Sequence, residues 1–118
     1  MNDKESQDII NVKVKLSLTL EEVVDVLCLG TYYSWFQLAN LQDHTKDSNI
    51  VFVYSFEEPY DPQKFTREFL TKKELEEGLQ FVADKSPGLI TAIIDGSYDV
   101  SDADNILQLI TFKEIVYS

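Results

Sequence analysis

The chain has 118 residues and carries 21 acidic side chains against 10 basic ones, which gives a formal net charge of −11. This length is enough for one domain with its own core, and a composition that is 44% hydrophobic and 12% aromatic excludes a disordered acidic tail. We expect no direct binding to nucleic acid, because so acidic a surface repels phosphates. No apolar run is long enough to cross a membrane.

The cysteine content indicates the cellular compartment of the protein, and the charge indicates its possible partners. Cys28 is the only cysteine, so the chain forms no internal disulfide, which is typical of a reducing compartment. We therefore predict a cytoplasmic protein. The acidic charge has two interpretations, namely solubility or the imitation of nucleic-acid phosphates by carboxylates.

The N-terminal part of the chain predicts a strand that leads into a helix. Residues 1 to 9 lack periodicity, so we predict a flexible N-terminus followed by a single α+β domain over residues 10 to 118. Within residues 10 to 18, apolar residues alternate with lysine and serine from Val12 to Leu18, the pattern of a strand with one solvent-facing side. Thr19 and Glu22 have the spacing of a capping box, which predicts a helix that ends near Gly30.

The middle of the chain predicts a hairpin. A polar loop at residues 40 to 49 leads into β-branched and aromatic residues at 50 to 56, which are typical of a central strand. Two prolines place a turn at residues 57 to 63, because proline cannot donate to a strand ladder. Residues 64 to 70 then alternate as the returning strand.

Two helical segments follow the hairpin. Thr71 and Glu74 repeat the capping-box spacing and predict the start of a helix. Ser86 followed by Pro87 is typical of a second helix start. The β-branched content of residues 87 to 95 leaves a strand as an alternative there.

The last segment completes the predicted fold. Ser101 is predicted to cap a final helix, with Asp102 and Asp104 in its first turn, where the helix dipole favours acids. This order of elements predicts an α+β fold, in which an antiparallel sheet of about three strands has helices packed on one face.

Metal and catalytic sites find little support in the sequence. His44 is the only histidine and has no second histidine or cysteine nearby, while Cys28 lies on an apolar helical stripe without a histidine partner. Residues 95 to 104 have some oxygen ligands of a calcium loop but lack its glycine and glutamate. Paired carboxylates for hydrolysis remain an alternative to turn and cap roles. With no glycine-rich phosphate loop either, we expect a protein that is not an enzyme and uses no metal or cofactor.

The stretch GTYYSWF, at residues 30 to 36, is the most distinctive part of the sequence. If it is an extended strand, Tyr32 and Tyr33 lie on opposite faces, with Trp35 on the face of Tyr33. Tyrosine and tryptophan combine rigid apolar area with a polar tip. The stretch therefore predicts either aromatic core or the lining of a ligand pocket or self-association surface.

Two segments, GTYYSW at residues 30 to 35 and YDVSDADNILQLITFKEIVYS at 98 to 118, resemble a family of small uncharacterised proteins of bacteriophages, prophages and mobile elements. That family has a Gly-Gly-x-Asn-Tyr-Trp stretch, then an Asp-rich turn, a helix with a Gln, and an ending like Phe-Gly-Glu-Ile-Val-Tyr-Gly. Gly30, Tyr33 and Trp35 match the first pattern. The second is matched by Tyr98, Asp99, Asp102, Asp104, Gln108, Phe112, Glu114, Ile115, Val116 and Tyr117. Leu29 replaces the first glycine, and the asparagine is missing.

The resemblance implies a phage or mobile-element protein in the cytoplasm of a bacterial host. We therefore predict a non-enzymatic anti-defence or host-takeover protein that acts stoichiometrically. In one mechanism a homo-oligomer sequesters a small nucleotide-like immune signal. In the alternative, the acidic surface mimics nucleic acid and binds a host defence protein, such as a nuclease or a CRISPR effector. The predicted ligand- or partner-binding residues are Tyr32, Tyr33, Trp35, Asp99, Asp102, Asp104 and Gln108.

Overall fold

The computed structural model describes residues 10, 12, 15–39 and 49–117. Within them the strands are β1 (Phe36–Leu38), β2 (Ile50–Glu58) and β3 (Asp61–Thr71), and the helices are α1 (Leu20–Leu29), α2 (Lys72–Lys85), α3 (Pro87–Asp95) and α4 (Val100–Phe112). The strands form one antiparallel sheet in the order β1-β2-β3. The predicted α+β fold is therefore confirmed. None of the helices in this part of the chain is long and apolar enough to cross a membrane.

The helices pack against the sheet through one side of β2. Phe52, Tyr54 and Phe56 alternate along the strand and so point to the same side. The hydroxyl of Tyr54 lies 2.7 Å from the hydroxyl of Thr111 on α4. Phe56 meets Phe112 at the end of the same helix, edge to face, with ring centroids 5.4 Å apart. The core thus lies between this side of the sheet and α4.

Local signals place the helices as predicted. Thr19 and Glu22 form a capping box at the start of α1, and Thr71 and Glu74 form another at the start of α2. Residues 87 to 95 are helical rather than extended, with Pro87 in the first turn of α3.

The strand predicted over residues 10 to 18 is wrong for the residues described. Residues 10, 12 and 15–18 belong to no strand, and the sheet begins at β1 instead. Alternation alone does not make a strand, because its backbone groups need a hydrogen-bonding partner, and no such partner lies beside this segment in the described chain. The predicted flexible N-terminus, residues 1 to 9, and most of the polar loop, residues 40 to 48, lie outside the described residues.

The predicted hairpin is confirmed, but its turn is shorter than expected. Only Pro59 and Tyr60 separate the strands, since Glu58 pairs with Asp61. The second proline, at position 62, lies inside β3, an edge strand in which a missing backbone N–H is tolerated.

Candidate functional site

The residues that follow α1 form turns rather than a strand. The backbone N–H groups of Thr31 and Tyr32 donate to the carbonyls of Cys28 and Leu29, and the Thr31 hydroxyl also donates to the Cys28 carbonyl, 2.7 Å away. These bonds satisfy carbonyls that the end of a helix leaves without partners. The alternating faces expected for an extended stretch at residues 30 to 35 are therefore absent, and β1 starts only at Phe36.

Gly30 brings the end of α1 against α4. Its φ is −65°, an ordinary helical value. A Cβ on this residue would lie 2.8 Å from the carbonyl oxygen of Ala103, closer than real Cβ contacts allow. The glycine is therefore required for close approach of the two helices, and this approach sets Trp35 beside Asp104.

Asp104 accepts a hydrogen bond on each of its carboxylate oxygens. The Trp35 indole N–H donates to Oδ1 at 2.6 Å, and the Gln108 side-chain amide donates to Oδ2 at 2.8 Å. Asp104 is only 4% exposed. Burial raises the pKa of its carboxyl, and the bonds from Trp35 and Gln108 oppose that shift by favouring the charged form.

Gln108 connects this carboxylate to the C-terminal segment. Its side-chain oxygen accepts the backbone N–H groups of Val116 and Tyr117, both at 2.8 Å. Its side-chain nitrogen, besides donating to Asp104, donates to the Tyr117 carbonyl at 2.9 Å. Two donors and two acceptor positions exhaust the hydrogen-bonding capacity of a glutamine side chain, so Gln108 has no polar group left for a ligand.

Four aromatic rings stack into what we call the aromatic ladder, made of Tyr32, Tyr33, Trp35 and Tyr117. Tyr33 stacks on Trp35 with centroids 5.0 Å apart, and Tyr117 stacks on Trp35 at 4.9 Å with ring planes 9° apart. Tyr32 meets Tyr33 edge to face at 5.5 Å. Tyr32 is 72% exposed, whereas Trp35 is half-buried and packs against the core. The aromatic stretch is therefore core at one end and surface at the other.

Asp99 and Asp102 form the cap of α4. The Asp99 carboxylate accepts the Asp102 N–H at 2.8 Å, and the Asp102 carboxylate accepts the Asp99 N–H at 3.1 Å. The prediction that Ser101 caps this helix is wrong, because Asp99 holds that position and Ser101 lies within the first turn. The i, i+3 spacing of the two aspartates resembles that of the Thr–Glu boxes and was visible in the sequence.

Five of the seven predicted site residues thus make side-chain hydrogen bonds within the chain, and the structure divides them between two places. Trp35, Asp104 and Gln108 come together in one network, while Asp99 and Asp102 cap the helix. Of the remaining pair, Tyr33 is half-buried in the aromatic ladder and Tyr32 is its exposed end. No group of His, Cys, Asp and Glu side chains that fits a metal ion occurs among the residues described.

Two partners in this network, Tyr117 and Glu57, were not predicted from the sequence. The Tyr117 hydroxyl donates to the Glu57 carbonyl at 2.9 Å, and the Glu57 N–H donates to the Trp35 carbonyl at 2.8 Å. Tyr117 lies in a segment that was singled out, but a stacking partner 82 positions away leaves no mark in a local pattern.

The charges are segregated among the elements. Residues 16 to 39 and 86 to 112 contain no lysine, arginine or histidine, whereas residues 61 to 85 hold five basic and six acidic side chains. Helix α1 packs against α3 and α4, so the base-free stretches meet in space. We call these three helices the acidic helical layer. Its exposed and half-exposed acids are Glu21, Glu22, Asp25, Asp95, Asp99 and Asp102.

Comparison of the chain with protein-family models, with curated proteins and with solved structures finds no match. The resemblance to a phage and mobile-element family therefore stays a prediction.

Proposed function

We propose that this protein is a non-enzymatic binding protein that acts stoichiometrically, by docking its acidic helical layer onto a basic, nucleic-acid-binding surface of a partner protein. The supporting observation is the segregation of charge, since α1, α3 and α4, together with the cap residue Asp99, hold six accessible acids and no lysine, arginine or histidine in their sequence. Such a surface attracts a basic groove over long range and competes with phosphates for it. In the phage setting that the resemblance implies, the partner is a host defence protein in the bacterial cytoplasm.

Docking is favoured over sequestration of a small ligand because the polar side chains predicted to bind the ligand already form hydrogen bonds within the chain. Reading ribose hydroxyls or exocyclic amines requires side chains with free hydrogen-bonding positions. Gln108 and Asp104 bond to each other and to the chain around them, and Asp99 and Asp102 bond the α4 backbone. A ligand would have to break the bonds of the buried Gln108 and Asp104 before it gained any from them, whereas Asp99 and Asp102 each keep one carboxylate oxygen outside the cap.

Two triple variants test the docking proposal. The first neutralises the acidic helical layer through Glu21→Gln, Asp25→Asn and Asp95→Asn, all exposed residues outside the capping boxes. The second, a matched control, makes Asp61→Asn, Glu76→Gln and Glu77→Gln on β3 and α2. Both reduce the net charge equally. We expect the first variant to weaken partner binding by about tenfold or more, because the charges in contact count more than the total charge, and the control to weaken it far less.

The measurement starts with affinity capture of host proteins at low salt, followed by titration of the captured partner at about 0.05 M and 0.3 M salt. Support requires that the partner binds nucleic acid, that DNA or RNA competes with the complex, and that salt weakens it. Equal binding by the two triple variants, or a complex indifferent to both salt and nucleic acid, would contradict the proposal.

One observation favours a second candidate, the sequestration of a nucleotide-derived signal. Tyr32 presents an exposed ring at the end of the aromatic ladder, and an exposed ring of this kind can stack on a base. Isothermal titration with cyclic dinucleotides and cyclic ADP-ribose-type compounds tests it. Tyr32→Ala should abolish binding, while Tyr60→Ala, which removes a tyrosine 92% exposed at the hairpin turn, should not. Dissociation constants above about 10 μM, or equal effects of both substitutions, would exclude this candidate.

A further inference from the structure

A groove lies between one face of α2 and the residues that lead into α1. The α2 residues that line it recur at intervals of three and four positions, so they share one side of the helix. These residues are Lys72, Leu75, Glu76, Leu79, Gln80 and Ala83. Leu16, Leu18 and Leu20 also line the groove. It therefore follows α2 from its first residue over about 16 Å, at a rise of about 1.5 Å per residue.

The inside of the groove is apolar. Val23, Leu75 and Ile90 are buried and form its floor. Leu16 and Leu20 lie at its margin and are 57% and 43% exposed. Its volume of about 490 Å³ lies within the range of about 300–1,000 Å³ that is usual for small-molecule sites. An alkyl chain in this groove would cover apolar surface that is now in water.

The charged side chains at the groove are more basic than acidic, although the chain has a net charge of −11. Lys15 and Lys72 line it and are exposed, and among the described residues Glu76 is the one acid that does so. Lys73 lines a shallower depression that shares Lys72 and Glu76 with the groove. Distant acids count less here, because salt screens exposed charges over about 8 Å. The groove is therefore suited to an anion.

The position of Lys72 and Lys73 does not serve the stability of α2. Both lie in its first turn, directly after Thr71, which begins the capping box. The helix dipole disfavours cations at this end. The same dipole attracts anions, so it adds to the attraction that the two lysines exert on a negative group. A bound anion would account for lysines at this position, whereas the stability of the helix does not.

We propose that this groove binds a long-chain carboxylate, such as a free fatty acid. Leu75 and Leu79 follow Lys72 by about one and two turns of the helix, so a carboxylate at the lysine leaves its alkyl chain along the leucines. The lysine ammonium group donates charge-assisted hydrogen bonds to the carboxylate. No acid of the acidic helical layer lines the groove, so this inference does not depend on the proposed docking function.

Isothermal titration of the full chain with dodecanoate, below its micellar concentration, tests the site. We expect a dissociation constant below about 100 μM. Decanoate should bind about tenfold more weakly, because two fewer methylene groups are buried. Dodecyltrimethylammonium has the same alkyl chain and a cationic head, and it should bind at least about tenfold more weakly than dodecanoate. A dodecanoate dissociation constant above about 1 mM, or equal binding of the two head groups, would overturn the inference.

Two single variants locate the head group. Lys72→Gln should weaken dodecanoate binding by about fivefold. Lys85→Gln removes the same charge from the other end of α2, outside the groove, and should change binding by less than about twofold. Both lysines are exposed, so the thermal midpoint of the free protein should stay nearly unchanged. Equal binding by the two variants would overturn the placement of the carboxylate at Lys72.

Two other occupants of the groove would give different results. If a second copy of the chain fills it, sedimentation velocity will show a dimer that dodecanoate dissociates. If the groove contacts membrane lipid, the chain will bind vesicles of phosphatidylglycerol and will not bind monomeric dodecanoate. Either result would overturn the assignment to a free carboxylate.

Discussion

Asp104 uses both of its carboxylate oxygens as hydrogen-bond acceptors. An isosteric substitution therefore tests how much these hydrogen bonds contribute to stability. In Asp104→Asn one position becomes an NH₂ group that faces either the Trp35 N–H or the Gln108 amide. Turning Gln108 over to accept this donor would break its bonds to Val116 and Tyr117. We expect a loss of about 1–3 kcal/mol in the free energy of unfolding, the cost of an unsatisfied buried polar group.

Urea unfolding followed by the fluorescence of Trp35, the only tryptophan, measures this loss. Asp95→Asn is the matched control, because Asp95 is exposed at the end of α3 and should change stability by less than about 0.5 kcal/mol. If Asp104→Asn is no more destabilising than Asp95→Asn, the network contributes nothing to stability.

The same carboxyl predicts how stability depends on pH. Burial raises the pKa of Asp104 above its ordinary value of 3.8, so the folded state binds this proton more readily than the unfolded state. Its contribution to stability is then complete below 3.8 and is lost as the pH rises through the raised pKa. The free energy of unfolding should therefore increase as the pH falls from neutrality through the raised pKa towards 3.8. Glu68, whose pKa burial and Glu74 also raise, contributes with the same sign.

Urea titrations at several pH values give the slope, and Asp104→Asn should reduce it without removing it, because Glu68 remains. A wild type that loses stability over this range, or a variant with the full slope, would contradict the assignment to Asp104.

At the residue scale, the sequence predicted which residues matter better than what they do. Trp35, Asp104 and Gln108 were all selected as binding residues, and their polar atoms are used for bonds inside the chain. The reason lies in separation, since Trp35 and Asp104 are 69 positions apart. No local periodicity records such a contact, so a buried carboxylate looks like any other acid at the start of a helix.

Between elements, the contact of α1 with α4 depends on Gly30. Gly30→Ala places a methyl group 2.8 Å from the Ala103 carbonyl oxygen and forces the helices apart, so we expect a loss of about 1–3 kcal/mol. Gly88 in α3 has nothing within 4 Å of an added Cβ. Gly88→Ala should therefore be neutral or stabilise by up to about 1 kcal/mol. Thermal unfolding of the pair tests this contrast, and equal effects would mean that close approach is not what Gly30 provides.

At the start of helix α4, the capping role of Asp99 can be separated from the effect of its charge. Asp99→Ala removes the acceptor for the Asp102 N–H and should cost about 1 kcal/mol of stability. Asp99→Ser keeps a capping oxygen while it removes the charge, so it should recover most of that loss. Denaturant unfolding of both variants is the measurement. A serine variant as unstable as the alanine variant would show that the charge, and not the cap, stabilises this helix start.

Elements specified by short-range signals were predictable. The capping boxes at Thr19 and Thr71 need only four neighbouring residues, and both are present. The described residues among 10 to 18 form no strand, because a strand requires a partner that the segment itself does not encode. Residues 31 to 35 form turns rather than an extended stretch for a different reason, since carbonyls at the end of α1 accept their backbone N–H groups and turn the chain back on itself.

Across the whole molecule, the network around Trp35 joins parts that are far apart in the chain. It links the turn before β1, the end of β2, the helix α4 and the C-terminal segment, through Trp35, Glu57, Gln108 and Tyr117. The acidic helical layer shares α4 with this network, but the acids substituted in the docking test, Glu21, Asp25 and Asp95, are not members of the network. Substitutions at these three positions should leave the network unchanged, which allows stability and partner binding to be measured independently.

The long separations in this network also determine how long the folded state lasts. Contacts between residues 69 and 60 positions apart carry a large loop-closure cost, so they form after the local helices and the hairpin. Interactions made after the transition state slow unfolding without speeding folding. In stopped-flow experiments Asp104→Asn should accelerate unfolding by about tenfold and leave the folding rate nearly unchanged. If folding slows instead, the network forms early. With the folding rate unchanged, the indole–carboxylate bond acts as a brake on unfolding, so it affects the lifetime of the native state more than its route of formation.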